Sequence, residues 1–351
     1  MTENETARTW RGELRDAVSL RTVGLVAGVL LLQVAFIASY VGAFHDPTPH
    51  DVTVGVVAPR AEQVAAALDA LDGAPLAAEV VADADRAREL VASGDLTAAL
   101  VVGPDAAGET PHDSLIVASG AGSSLATAVE QVLTGVETQQ GRTIDVTDVV
   151  PLESGDARGL TGFYLVIGWL VGGYLVASLL GVAKGARPAT ARRAAIRLAA
   201  AVPYAVLSGL GGALVVDPLL GALTGHFWSL WGLGTLLVLS AATVTMALQV
   251  LAGTLGIGLT VLLFVVLGNP SAGGAYQSEL LPAFWRVLGT WIPNGAGTTA
   301  VRRIVYFPDQ SVTAQVLLIT AYAVVGAAVT LVATARHRGL GVAPERDAQH
   351  A

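Results

Sequence analysis

Cysteine is absent from the 351 residues, which excludes disulfides, thiolate metal ligands and cysteine nucleophiles together. Lysine is almost absent too. Lys184 is the only one, and Gly185 follows it. A phosphate-binding loop needs Gly-x-x-x-x-Gly-Lys-Ser/Thr, so that backbone amides and one lysine cradle the phosphates. No such loop exists here, and any dependence on ATP must come from a separate subunit. Charge is scarce, at 14% of residues against 53% hydrophobic, and the mean hydropathy is +0.61. Ordinary soluble domains carry about 25% charged residues. The composition therefore implies a polytopic membrane protein.

The charge that is present is unevenly spread. Residues 45–158 hold 19 of the 28 acidic residues and 5 of the 20 basic ones, a local net of −14 against +6 for the remainder. Nucleic acid needs a basic face, so the asymmetry argues against a nucleic-acid partner and none is expected. The acidic segment reads as a solvated domain between apolar runs, its charge serving solubility rather than a cation site. Without cysteine it must be held together by packing alone.

Taken in order, residues 1–21 place Trp10, Leu14, Ala17 and Val18 on one helical face with Arg8, Arg11 and Arg15 nearby. This suits a cytoplasmic amphipathic helix lying on the bilayer. Residues 22–44 carry no charge and are long enough for a hydrocarbon core of about 30 Å at about 1.5 Å per residue. A cleaved signal peptide ending at Val41-Gly42-Ala43 is the alternative, but the apolar run exceeds the usual core of about 7–15 residues, which favours a retained helix. Residues 45–158 then alternate. Strands are expected at 52–57, around 79–81, at 96–102, 114–118 and 144–149, and helices at 61–71, 84–93 and 123–138. This is the pattern of a small α/β domain.

Further spans are expected at 162–182, 198–216, 228–250, 254–268 and 314–335, six in all. The 183–197 loop carries Lys184, Arg187, Arg192, Arg193 and Arg197 with no acid. By the positive-inside rule it is cytoplasmic, which places both termini inside and 45–158 outside. Segment 269–312 is too apolar for an ordinary outer loop, and 336–351 forms a cytoplasmic tail.

Catalytic chemistry is sparse. His45-Asp46-Pro47-Thr48-Pro49-His50-Asp51 groups two imidazoles with two carboxylates, but its two prolines make it a stiff connector first. No span has an ionisable residue near its middle, which argues against a proton relay. Gln33 and Gln249 are read as interhelical hydrogen bonds. Gly24/Gly28, Gly168/Gly172 and Gly209/Ala213 have the small-xxx-small spacing that seats a neighbouring helix. Neither an enzyme nor a bound cofactor or metal is expected.

Two patterns carry a resemblance. One is Val52-Thr53-Val54-Gly55-Val56-Val57 leading to Ser93-Gly94-Asp95 and then to Ala98-Ala99-Leu100-Val101-Val102-Gly103-Pro104. The other is Gly268-Asn269-Pro270-Ser271-Ala272-Gly273-Gly274, then Leu280-Leu281-Pro282-Ala283-Phe284-Trp285, Trp291-Ile292-Pro293-Asn294-Gly295-Ala296 and Arg302-Arg303. With the layout, they resemble the ABC-2 type permease superfamily, nearest to its phage-infection-protein (YhgE/Pip)-like branch. The resemblance implies a plasma-membrane homodimer exporting a hydrophobic or amphipathic substrate, energised by a separate ABC ATPase. It makes Thr9 to Leu20 the connecting helix, and Arg187, Arg192, Arg193 and Arg197 the ATPase-coupling surface. It makes 269–312 an outer re-entrant hairpin, marked by Asn269, Pro270, Pro282, Trp291, Pro293 and Asn294. The alternative is a non-transporting surface protein whose outer domain binds a partner or supports envelope assembly.

Overall fold

The computed structural model describes residues 20–104 and 111–339. The expected amphipathic helix, apart from its last two residues, and most of the 336–351 tail lie outside the described residues. Among those described, helix α1 (Leu20–Phe44) leads to a domain of five strands. These are β1 (Val52–Val57), β2 (Leu76–Val80), β3 (Ala98–Val101), β4 (His112–Val117) and β5 (Thr143–Asp148). Helix α2 (Ala61–Asp69) joins β1 to β2, α3 (Ala84–Ser93) joins β2 to β3, and α4 (Ser123–Gln139) joins β4 to β5. The sheet order is β2-β1-β3-β4-β5, parallel except where β3 meets β4.

Strand alternation explains the two-sided core. Val52, Val54 and Val56 face α2 and α4 with Leu68, Leu100, Leu115, Val129 and Leu133. Ala99 and Ile116 point to the other face, against Ala87 and Val91 of α3. Helix α3 occupies the residues read from sequence because both ends are signalled. The Asp83 carboxylate accepts from the Arg86 amide at 2.8 Å, and Gly94 ends the helix at φ 75°. These are a standard N-cap and left-handed C-cap.

The bundle follows: α5 (Thr161–Lys184), α6 (Ala191–Leu214), α7 (Phe227–Ala252), α8 (Leu255–Val261), α9 (Ala283–Trp291), α10 (Pro293–Tyr306) and α11 (Thr313–Gly339). Helix α7 is the centre, packed on α5, α6 and α11. Glycine permits its close contacts. A Cβ at Gly173 would lie 2.4 Å from the Val238 carbonyl, and one at Gly209 2.6 Å from the Thr235 amide. Gln249 Nε2 donates to the Ala177 carbonyl at 3.3 Å, the interhelical bond expected of it. Gln33 instead is exposed on α1 and bonds to no described residue, because α1 stands apart from the bundle for most of its length.

Five helices are long and apolar enough to cross a membrane: Thr22–Phe44, Thr161–Lys184, Ala191–Leu219, Phe227–Ala252 and Thr313–Arg336. The 254–268 run, read as a full span, forms the shorter apolar helix Leu255–Leu267. Its last turn is widened to a π-helix over Leu262–Leu267. The chain then turns within the protein interior, where Asn269 and Ser271 are buried.

Candidate functional site

Arginine and helix ends meet at the end of the bundle far from the α/β domain. The 183–197 segment is a loop only over 185–190, since α6 begins at Ala191. Thr190 caps it, its hydroxyl accepting from the Arg193 amide at 3.1 Å, so Arg192, Arg193 and Arg197 are helical rather than in a loop. The four arginines divide into two kinds. Arg187 donates from Nε to the Val250 carbonyl at 3.0 Å and from Nη2 to the Leu251 carbonyl at 3.1 Å, closing the end of α7. Arg197 donates to the Gly185 and Lys184 carbonyls at 2.9 and 2.8 Å, closing the end of α5. Cations at helix C-termini satisfy orphan carbonyls and complement the dipole. Arg192 and Arg193 are exposed, and among the described residues their guanidinium groups bond to nothing.

At the opposite end lies segment 269–312. Asn269 Nδ2 donates to the Tyr40 hydroxyl at 3.0 Å, which ties this segment to α1. Asn294 Nδ2 donates to Asn269 Oδ1 at 3.0 Å and to the Phe264 carbonyl at 2.9 Å. That carbonyl lies within the π-widened turn Leu262–Leu267, so Asn294 ties α10 to the turn. Pro282 and Pro293 open α9 and α10, where a missing N–H costs no helical bond, and Pro270 sits in the buried turn. Trp291 stands apart from the asparagines. It is 66% exposed and shares a face with Phe284 and Val287, and its carbonyl accepts from the Tyr322 hydroxyl of α11 at 2.8 Å.

The same segment is fastened to the α/β domain through residues that local patterns could not single out. Gln277 is buried, and its Oε1 accepts from the Leu125 amide at 3.0 Å. Ser124 donates to the Ala275 carbonyl at 2.9 Å. The Tyr306 hydroxyl donates to Asp156 at 3.0 Å, and Asp156 also takes the amide and hydroxyl of Thr161 at the start of α5. Phe307 is buried against the α3 face of the sheet, and Gln310 Nε2 donates to the Ser93 carbonyl at 2.8 Å. Pairs roughly 150 to 220 positions apart carry these contacts.

The connector is occupied locally. His45 Nδ1 lies 3.0 Å from the Val41 carbonyl at the end of α1, and His50 Nε2 lies 3.1 Å from the Thr48 hydroxyl. The main electrostatic knot of the domain is elsewhere. Arg142 holds the buried Asp113 with two bonds of 2.7 and 2.6 Å, and its Nε lies 3.4 Å from the buried Glu137. Burial raises both carboxyls. For Asp113 the bonds from Arg142, Glu137 and the Gly103 amide, with the Arg142 charge, together outweigh burial and pull the group below its usual range. Glu137 is pushed up to about 7 by burial, with the neighbouring Asp113 adding to the shift and Arg142 only partly offsetting it. No known protein family, characterised protein or solved structure matches the chain.

Proposed function

We propose that the chain is the membrane subunit of an ABC-2-like exporter for a hydrophobic or amphipathic substrate, acting as a homodimer with a separate ATPase. In this reading 254–268 completes six crossings, both termini are cytoplasmic, the α/β domain lies outside the plasma membrane, and the 269–312 hairpin re-enters the membrane from that outer side. The observation that carries it is the hairpin. Its backbone breaks at Asn269-Pro270 and at Ile292-Pro293, yet is buried and bonded by Asn294 to the Phe264 carbonyl. Irregular backbone at membrane depth is tolerated only where protein satisfies it.

Three further features support the disposition. The exposed aromatics Tyr164, Trp228, Phe284 and Trp291 lie toward the α/β-domain end, where an interfacial belt belongs. The basic cluster lies at the other end. Helix α1 leaves Gly24 and Gly28 with nothing within 4 Å of an added Cβ, so this small-residue face is free for a second copy.

Within the basic cluster, Arg187 and Arg197 are occupied by helix ends, which leaves Arg192 and Arg193 to meet an ATPase. Their double charge reversal is expected to abolish ATPase association while membrane insertion stays intact. Unchanged association removes the coupling role. The second reading, a surface protein without transport, draws on the −14 charge of residues 45–158. It would be favoured by a partner held through that domain alone.

A further inference from the structure

We propose that the cavity between the hairpin and the start of α11 binds the anionic headgroup of an amphiphile through Arg302 and Arg286. The cavity measures about 420 Å³. Arg302 reaches it from α10, and its Nη2 donates to the Gly273 carbonyl at 2.7 Å. That is its only hydrogen bond among the described residues, and no carboxylate among them forms an ion pair with it. Glu279 acts on it only at longer range, and its Oε2 already accepts from Ser278 Oγ at 2.9 Å. A guanidinium has five donors. A largely buried cation with one neutral acceptor leaves both charge and donors uncompensated, which is costly. A bound oxyanion removes that cost.

Two more groups line the same space. Arg286 faces it from α9, and its only ion pair among the described residues is a loose one of 3.8 Å to the exposed Asp51. Gln315 Oε1 is buried there without a hydrogen-bond partner. Two cations and one orphan acceptor match an anionic head that also carries a hydroxyl, the oxyanion taking the arginines and the hydroxyl donating to Gln315. The rim decides between a free anion and a lipid. It is formed in part by Trp291 and Leu318. Beside it run the exposed Phe284 and Val287 of α9 and Leu317 of α11, so the charged space opens directly onto apolar surface. A headgroup bound there would lay its acyl chain along that surface.

This inference rests on the membrane disposition proposed above but not on transport, and binding is measured with no ATPase present. The full chain in phosphatidylcholine nanodiscs would be titrated with phosphatidylglycerol or with inorganic phosphate, and bound species counted by native mass spectrometry. One phosphatidylglycerol per chain should be retained in preference to phosphatidylcholine. Arg302→Gln and Arg286→Gln should each weaken retention by about tenfold or more, tenfold being about 1.4 kcal/mol, close to the low end of what a hydrogen bond to a charged group contributes. Arg302 also holds the Gly273 carbonyl. Should Arg302→Gln misfold, Arg286→Gln and Gln315→Glu carry the test, the latter placing a negative charge against the headgroup. Equal retention of the two lipids would overturn the proposal. So would retention unchanged in the folded variants, or saturation by inorganic phosphate without a lipid preference.

Discussion

Glu137 is a buried carboxyl group held well away from its ordinary behaviour. Its carboxyl titrates near 7 when folded and near 4.5 when free, because burial and Asp113 both disfavour its charge. Between these values the folded chain keeps a proton that the unfolded chain releases, so stability falls as pH rises from about 4.5 to about 7. Asp113 has the opposite sense, and its contribution is lost only below the usual carboxylate range. Glu137→Gln should therefore flatten the thermal-stability profile across that window and raise the melting temperature above pH 7. A profile identical to the parent would mean that Glu137 does not titrate there. Asn294 makes a second residue-scale case. Replacing it by Ala removes its buried bonds to the Phe264 carbonyl and to Asn269 Oδ1, which should destabilise the chain by about 1–3 kcal/mol, read as a lower melting temperature in detergent. A hydrogen-bonded Asn and an idle Asn look the same in a sequence, so the role of Asn294 became visible only with the π-turn opposite it.

Among the elements, helix ends separate what local sequence encodes from what it does not. The Asp83 cap and Gly94 stop bound α3 at the residues read from sequence, and Thr190 with Arg193 three positions on marks the start of α6. That second signal lay within a basic run, and charge count alone made it a loop. The 254–268 run ends close to where its hydropathy ends, at Leu267, but hydropathy carries no information about the turn that follows being buried at Asn269 and Ser271. The arginines test this at element scale. Arg197→Ala removes two bonds from the end of α5 and should cost about 1 kcal/mol, while Arg192→Ala should stay within about 0.5 kcal/mol of the parent. Equal melting temperatures would contradict the capping role. Gly94→Ala combines two penalties: a positive φ, and a Cβ placed 2.7 Å from Gln310 Nε2 and 2.9 Å from Phe307. It should loosen the domain from the hairpin, read as faster proteolysis of the α/β domain.

For the molecule as a whole, the α/β domain is bonded to the hairpin and not merely tethered by connectors. Gln277, Tyr306, Phe307 and Gln310 reach the domain at separate points, so a displacement of the hairpin must be shared by the domain or break these bonds. None of this coupling was legible beforehand, because contacts between positions so far apart leave no local period or spacing. Since the chain has no cysteine, introduced cysteines report on it without background. Ser93→Cys with Gln310→Cys, joined by a short bifunctional reagent, should link in high yield in the resting protein. Failure to link would place the domain elsewhere. The permease reading itself is met most directly by gentle detergent purification from the native host, with mass spectrometry of what co-purifies. A stoichiometric ABC ATPase, lost when Arg192 and Arg193 are reversed in charge, is the result it requires. A clean homo-oligomer, or a partner held only through residues 45–158, would contradict it.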